Sequence, residues 1–509
     1  MSLDLSSYAD LMRALAPESL LTGLAMVVLL LVAWRHRTAA DTRLAGIATL
    51  VALAATAGVV WWLWWNRATV DGIAQMVAVD DFRFIVDWIL LGAAALTVLF
   101  SFRYLEREGL LAPEYYPLLL FAALGMMLMA GGEDLMVIFL GLELMSISVY
   151  VLAGFNRRSP RAAEAALKYF LLGAFASAFL LYGIALIYGA TGTTNLSLIG
   201  VQVTTLGVGH LPLLLIGVGL LLVGFGFKVA AVPFHMWAPD VYDGAPTPVT
   251  GFMATGVKAA AFAALFRVVV EALGTTGGWP AVIAGLAVAT MITGNLVALA
   301  QRSVKRMLAY SSIAHAGYLL VAVAAGGAGS GAFIVYLVAY TLTTIAAFAL
   351  LAAKGRAGES DVRIDDLAGL SASRPGLALA LTVVMLSLLG FPGTAGFIGK
   401  WYIIAAALGT GHTLLAIVLV LTSVVSAGYY LPVVMAMYMK PAPRPDAHAG
   451  MTLDWVGRAA LTASLIGILW FGIAPAGILG LSQASATTLH AVAGVTPAQA
   501  DSTAVPAGH

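Results

Sequence analysis

Runs of about 20 apolar residues, the length needed to cross a bilayer core as a helix, recur along this chain with short polar breaks. They fall near 18–34, 44–65, 84–104, 115–131, 134–155, 164–190 and 211–234. A second series follows near 248–271, 278–300, 303–325, 330–353, 376–406, 411–438 and 456–480. About fourteen spans result, and the class they predict is an all-α polytopic membrane protein, because only helices or closed barrels satisfy their own backbone in lipid. Two spans are interrupted. Pro233 stands inside the seventh and Pro392-Gly393 inside the twelfth, where a missing donor and a ring clash break a helix. Trp61, Trp62, Trp64 and Trp65 close the second span as an interfacial aromatic belt.

The polar breaks alternate in charge. Those after odd-numbered spans carry Arg35, Arg37, Arg43, Arg103, Arg107, Arg157, Arg158, Arg161, Arg302, Lys305, Arg306, Lys354, Arg356, Arg363, Arg374, Lys440, Arg444 and Arg458. The even-numbered breaks hold little beyond Arg67, Arg83 and Arg267. This asymmetry predicts odd loops in the cytoplasm and both termini outside. The break from Lys354 to Arg374 suits either a short surface helix or a solvated connector. The tail from Gln483 onward, rich in Ala, Thr, Ser and Pro, reads as mobile.

Composition sharpens this picture. The 509 residues are 61% hydrophobic and only 10% charged, far below the roughly 25% charged of a soluble domain. The net charge of +1 offers no basic surface for nucleic acid. No cysteine is present, which excludes disulfides, zinc-thiolate sites and cysteine-ligated clusters from this chain. The first residues, with Asp4, Asp10 and Glu18 against Arg13, do not read as the basic start of a cleaved signal peptide.

Candidate chemistry lies in the charges left inside the spans. Glu143 falls midway along the fifth, Lys228 in the seventh, Lys258 in the eighth, His315 in the tenth and Lys400 just past the break of the twelfth. His235 follows the first break, and Ser146, Ser148, Thr255, Ser311 and Ser312 frequent the same neighbourhoods. A charge inside a membrane is costly and by default functional. A row of such groups separated by small polar residues is what proton transfer requires. Glu143 and Lys228 are 85 positions apart, as are His315 and Lys400. The offset between the two pairs covers five spans, an odd number, so the second half would run inverted. Matching broken helices in two halves point to a transport path. Other polar residues read more plainly. Glu164 and Lys168 suit a local i, i+4 pair, Met126, Met127 and Met129 fill a core, and Asp240 and Asp243 cap and bend a loop. The two histidines equally suit neutral packing roles.

The stretch Lys228 to Met253 contains Pro233-Phe234-His235-Met236-Trp237-Ala238-Pro239-Asp240-Val241-Tyr242, then Gly244-Ala245-Pro246-Thr247-Pro248-Val249-Thr250. With the phrase around Glu143 and the run Lys305-Arg306-Met307-Leu308-Ala309-Tyr310-Ser311-Ser312-Ile313-Ala314-His315, it resembles the antiporter-like membrane subunits of respiratory complex I, NADH–quinone oxidoreductase. The likeness runs from about Asp81 to Met439 and is most similar to the bacterial N branch. Lys400, a glutamate in the M branch, and the short tail, without the L branch's lateral helix, both favour N.

The resemblance implies two inverted five-helix repeats with broken helices 7 and 12. Residues 1–110 would form helices 1–3, 111–273 the first repeat, 274–440 the second, 441–482 helix 14 and 483–509 a flexible tail. It places the family's working residues on Glu143, Lys228, Lys258 and Lys400, in agreement with the charges already singled out, and His315 and His235 join them as candidates. It implies a proton-translocating subunit of the enzyme with no cofactor of its own. Flavin mononucleotide, iron–sulfur clusters and quinone would be held by partner subunits. Its neighbours would be an adjacent antiporter-like subunit and small membrane subunits, within a bacterial inner membrane. Glu143 and Lys228 would share an ion pair whose disruption sends a proton toward Lys258, past His315 and on to Lys400. Two other readings remain: a subunit of a multisubunit sodium–proton antiporter, and a membrane scaffold that pumps nothing.

Overall fold

A computed structural model describes residues 5–36, 38–67, 76–110, 112–205, 212–274, 278–354, 362–444, 448, 450–480 and 482. Its helices are α1 Leu5–Ala14, α2 Ala16–Trp34, α3 Ala39–Trp65, α4 Asp81–Arg107, α5 Tyr115–Gly131, α6 Leu135–Ala153 and α7 Pro160–Thr191. Then come α8 Leu196–Thr205, α9 Pro212–Val229, α10 Ala238–Gly244 and α11 Thr247–Leu273. The remainder are α12 Trp279–Leu299, α13 Val304–Ala324, α14 Ser330–Lys354, α15 Leu370–Ser373, α16 Pro375–Leu389, α17 Ala395–Gly409, α18 Thr413–Met439 and α19 Trp455–Ile473. Among the described residues, twelve helices are long and apolar enough to cross a membrane. The 17-residue α5 and the pair α16–α17, two halves of one crossing, complete the fourteen crossings read from the sequence.

The boundaries follow local chemistry. The side chains of Asp80, Asp134, Ser159, Ser303 and Asp454 accept from the first free backbone N–H groups of α4, α6, α7, α13 and α19, which those helix starts require. The tail beyond Ser482, expected to be mobile, lies outside the described residues. Among the described residues of the connection after α14, the short surface helix offered as one reading takes the form of two short turns, Ile364–Leu367 and α15.

Two sets of five crossings repeat one packing scheme. In the first, α5 packs along α6 and α7 along α9; in the second, α12 packs along α13 and α14 along α17. Close approach in the first pair of each set rests on glycine. A Cβ on Gly141 would lie 2.6 Å from the Met129 backbone N, and one on Gly294 2.5 Å from the Ala314 backbone N. Such contacts need small residues.

Two expectations are corrected. The seventh span breaks at Ala230, three residues before Pro233: α9 ends at Val229 and Ala230 takes φ +58°. Arg83 and Arg267, assigned to outer loops by charge counting, are fully buried inside α4 and α11.

Candidate proton-transfer site

Lys228 occupies the last turn of α9 and is 2% exposed. Its Nζ donates to Ser146 Oγ on α6 at 2.7 Å and to the Tyr150 hydroxyl at 3.4 Å. It also lies 5.1 Å and 5.3 Å from the ring centroids of Tyr150 and Tyr169, an arrangement favourable to a desolvated cation. The break beyond Lys228 is satisfied internally: Trp237 Nε1 donates to Phe227 O at 2.9 Å, and Val232 N donates to Thr290 Oγ1 at 3.0 Å. Interrupted backbone at membrane depth persists only with such partners.

The expected ion pair between Glu143 and Lys228 is not formed. Glu143 is half-buried on α6, and its Oε1 is buried without a hydrogen-bond partner. Ser146, one turn further along the same helix, takes the lysine instead and itself donates to Leu142 O. His235, in the turn between α9 and α10, is half-buried with Nδ1 unpartnered, and no hydrogen bond of its ring joins it to the other candidates.

Lys258 follows a π-helical stretch of α11, Met253–Val257, a backbone irregularity frequent at functional sites. It is 1% exposed, and its Nζ donates to Ser312 O at 2.7 Å and to Ser312 Oγ at 2.5 Å. Ser312 belongs to α13, so this contact joins the two repeats. Between the Lys228 and Lys258 clusters the rings of Tyr169, Trp237 and Tyr242 pack in sequence, with centroid separations of 4.5 Å and 5.7 Å.

Beyond Ser312 the polar contacts continue through hydroxyl groups. Tyr340 donates to Ser312 Oγ at 2.8 Å. His315, buried on the same face of α13, bonds Tyr336 through Nδ1 and the Tyr430 hydroxyl through Nε2 at 3.1 Å. Its ring centroid lies 5.3 Å from that of Tyr318, and Lys400 Nζ stands 4.9 Å from the same Tyr318 centroid. Lys400 also donates to Leu388 O at 3.1 Å and Leu389 O at 2.9 Å, the last carbonyls of α16. A cation there meets the negative end of a helix dipole. Lys228 precedes its break and Lys400 follows its own, so the matched lysines sit on opposite sides of the two interruptions.

The tyrosines were not singled out from the sequence. Tyr336 and Tyr340 stand four apart on α14, a spacing that puts both hydroxyls on one helix face and could have marked them. Ser148 and Thr255, flagged earlier, bond only carbonyls of their own helices.

At the basic end, Lys168 bridges Glu164 at 2.7 Å and Asp240 at 3.0 Å, Arg306 reaches Asp240 at 3.0 Å, and Arg161 reaches Asp243 at 2.8 Å. These groups line a polar cavity of about 160 Å³. Partial burial pushes the Asp240 carboxyl up, yet Lys168 and Arg306 outweigh it and hold the group below the ordinary carboxylate range. The i, i+4 pair expected of Glu164 and Lys168 is therefore part of a network tying α7, α10 and α13. Asp240 and Asp243 are ion-pair partners within it.

Comparisons with known proteins fit this geometry. Residues 132–426 match the family model described as NADH:quinone oxidoreductase/Mrp antiporter, transmembrane. A curated relative from Gemmatimonas aurantiaca, an NADH-quinone oxidoreductase subunit N, is 46% identical over 506 residues, covering 95% of each chain. Another subunit N, from Trichlorobacter lovleyi, is 50% identical over 422 residues, 82% of this chain and 85% of that one. Among solved structures, a chain of respiratory complex I from Thermus thermophilus with bound aureothin aligns with TM-score 0.75 and 38% identity, over 91% of this chain and 98% of that one. A chain of the Mrp complex from Dietzia aligns with TM-score 0.81 over 96% and 98%, at 22% identity, a likeness of fold alone. Matched over more than half its length by the family model and over nearly all of it by a curated relative, the chain belongs to the NADH:quinone oxidoreductase/Mrp antiporter transmembrane family.

Proposed function

We propose that this chain is the proton-translocating membrane subunit of an NADH–quinone oxidoreductase, a translocase whose redox chemistry takes place in partner subunits. The observation that carries the reading is the run of buried ionisable groups through both repeats: Lys228 on Ser146, Lys258 on Ser312, His315 between tyrosines, and Lys400 on the end of α16. Each lysine has neutral hydrogen-bond partners, so its protonation state responds to charges that move nearby. Glu143, with a buried free oxygen one helical turn from the Lys228 partner, is the group whose charge would hold or release the Lys228 proton. The tyrosines and serines relay between the lysines. His235 stands apart at the first break and serves as an accessory exchange group.

The first repeat, within residues 111–273, and the second, within 274–440, then act in series with Lys258 as the crossing point. Residues 1–110 and the final helix within 441–482 flank them. Flavin, iron–sulfur clusters and quinone belong to other subunits of the complex. The neighbours are the membrane-arm subunits on either side, including another antiporter-like chain. The site of action is a bacterial inner membrane, and the loop charges favour both termini on its outer side.

Lys228→Ala in native membranes tests the reading, with assembly matched to wild type. NADH-driven quinone reduction and proton uptake should fall together by about tenfold or more, equivalent to at least about 1.4 kcal/mol on the coupled step. Reduction of an artificial electron acceptor by NADH should be unchanged. Unaltered quinone reduction with unaltered proton uptake would overturn the assignment and leave a membrane scaffold.

A further inference from the structure

A second set of buried charges lies at the other end of α11 from α10, away from the lysine row. Glu18 of α2, Asp80, Arg83 and Asp87 at the start of α4, and Arg267 and Glu271 near the end of α11 converge there, all with 9% exposure or less. Arg267 grips Asp80 with two bonds, at 2.8 Å and 3.0 Å, and donates to Glu271 Oε1 at 2.7 Å. Arg83 donates to Glu18 Oε1 at 2.7 Å and turns two more terminal N–H groups to Ala78 O at 2.6 Å and Ala14 O at 2.9 Å. Asp87, fully buried, accepts no hydrogen bond at either oxygen; its nearest cation is Arg83 Nε at 3.5 Å.

The charge count does not balance. Four carboxylates surround two guanidiniums, and each guanidinium already has a close carboxylate partner. Other charges facing the group do not help: Arg67, just beyond α3, is engaged by Asp81, which also accepts from Trp64 Nε1, and Glu133, between α5 and α6, adds a further negative field on Arg267 and Glu271. A buried carboxylate without a full partner costs several kcal/mol and takes a proton instead. Among the described residues no group of three or more carboxylates or histidines is placed to hold a metal ion.

We propose that this cluster is a proton-holding site, with the proton seated on the Asp87 carboxyl. Asp87 lies six residues into α4, about 9 Å from its start at 1.5 Å per residue, so the proton stands near one face of the bundle rather than in the lysine row. Glu18 and Asp80 stay paired with their arginines, and Glu18, which shares Arg83 with Asp87 and keeps its Oε2 buried without a hydrogen bond, is the neighbour placed to exchange a proton with it. The site extends the proton-transport reading given above to a store at the face opposite the Lys168 network. It makes a claim about the resting complex that holds whether or not the lysines pump.

Infrared difference spectroscopy of the intact complex in lipid vesicles, between acid and alkaline buffer in light and heavy water, tests it. The wild type should show a deuterium-sensitive protonated-carboxyl band at neutral pH. Asp87→Asn should lose that band yet assemble at the wild-type level, since an amide copies the neutral acid in shape and charge. Asp87→Glu should keep the band at a displaced frequency. An unchanged band in Asp87→Asn overturns the proposal. So does failure of Asp87→Asn to assemble, because that outcome identifies Asp87 as the anion that Arg83 requires. Loss of the Asp87 band with normal pumping in Lys228→Ala would separate this proton store from the lysine pathway and sink only the latter.

Discussion

Ala230 carries a conformation that the sequence gives no reason to expect. Its φ of +58° puts a Cβ in the left-handed region, at a cost of about 1–2 kcal/mol for a non-glycine residue. The turn is nonetheless required there, because it ends α9 immediately after Val229 and lets Ala231 N bond Gly226 O at 2.8 Å. Ala230→Gly should therefore preserve turnover and raise the thermal stability of the assembled complex, by an amount near about 1 kcal/mol, readable as a higher temperature of dissociation. Ala230→Val should do the opposite. The lysines, Glu143 and His315 were legible in the sequence because a charge in an apolar run stands out. Their partners were not. Whether Lys228 meets Glu143 or Ser146 depends on which turn of α6 faces α9, and one turn of helix decides it. Arg83 and Arg267 were read as loop charges, and Asp87 and Glu271 were not singled out, for a related reason. They lie close to the ends of their apolar runs, where a buried ion and a loop charge look alike until tertiary contacts are known.

At the scale of elements, the pairing of α5 with α6 and of α12 with α13 positions the candidate side chains of α6 and α13. Gly141 lies two residues before Glu143 and five before Ser146, and a Cβ there would meet the α5 backbone at Met129 N and, at 2.7 Å, Gly125 O. Backbone cannot retreat as a flexible side chain can, so the helices would have to separate. Gly141→Val should destabilise the bundle by about 3 kcal/mol or more, at the upper end of overpacking costs. Less assembled complex in membranes would show this, together with lost proton uptake in what remains. The corresponding change in the second set, Gly294→Val, should act the same way through α12 and α13. The helix spans themselves were read closely from hydropathy, α5 to the residue, because twenty apolar positions admit few alternatives in lipid. The breaks were placed less well. Proline marks where a helix cannot continue, whereas the chain here departs three residues earlier, at Ala230, to put the Phe227 carbonyl under Trp237.

Across the whole molecule, the equal spacing of Glu143–Lys228 and His315–Lys400 suggested two related halves, and the packing of α5–α6 with α7–α9 recurs in α12–α13 with α14–α17. What spacing could not show is where the halves exchange a proton. Of the buried lysines in the row, Lys258 alone bonds directly across that boundary, to Ser312, and Tyr340 shares the same hydroxyl; Lys305 crosses it at the Lys168 end, donating to Ala245 O at 2.6 Å. Ser312→Ala would leave Lys258 with the Ser312 carbonyl alone and would strip Tyr340 of its acceptor. A hydrogen bond to a charged group is worth about 1.5–3 kcal/mol, so proton-coupled quinone reduction should fall by roughly tenfold to a hundredfold. If Ser312 acts through Lys258, the pair is one unit and the effects cannot add. Lys258→Met combined with Ser312→Ala should then be no slower than Lys258→Met alone. Additive losses in the double variant would mean that Ser312 serves Tyr340 and His315 independently of the lysine, and the crossing between repeats would have to be sought elsewhere.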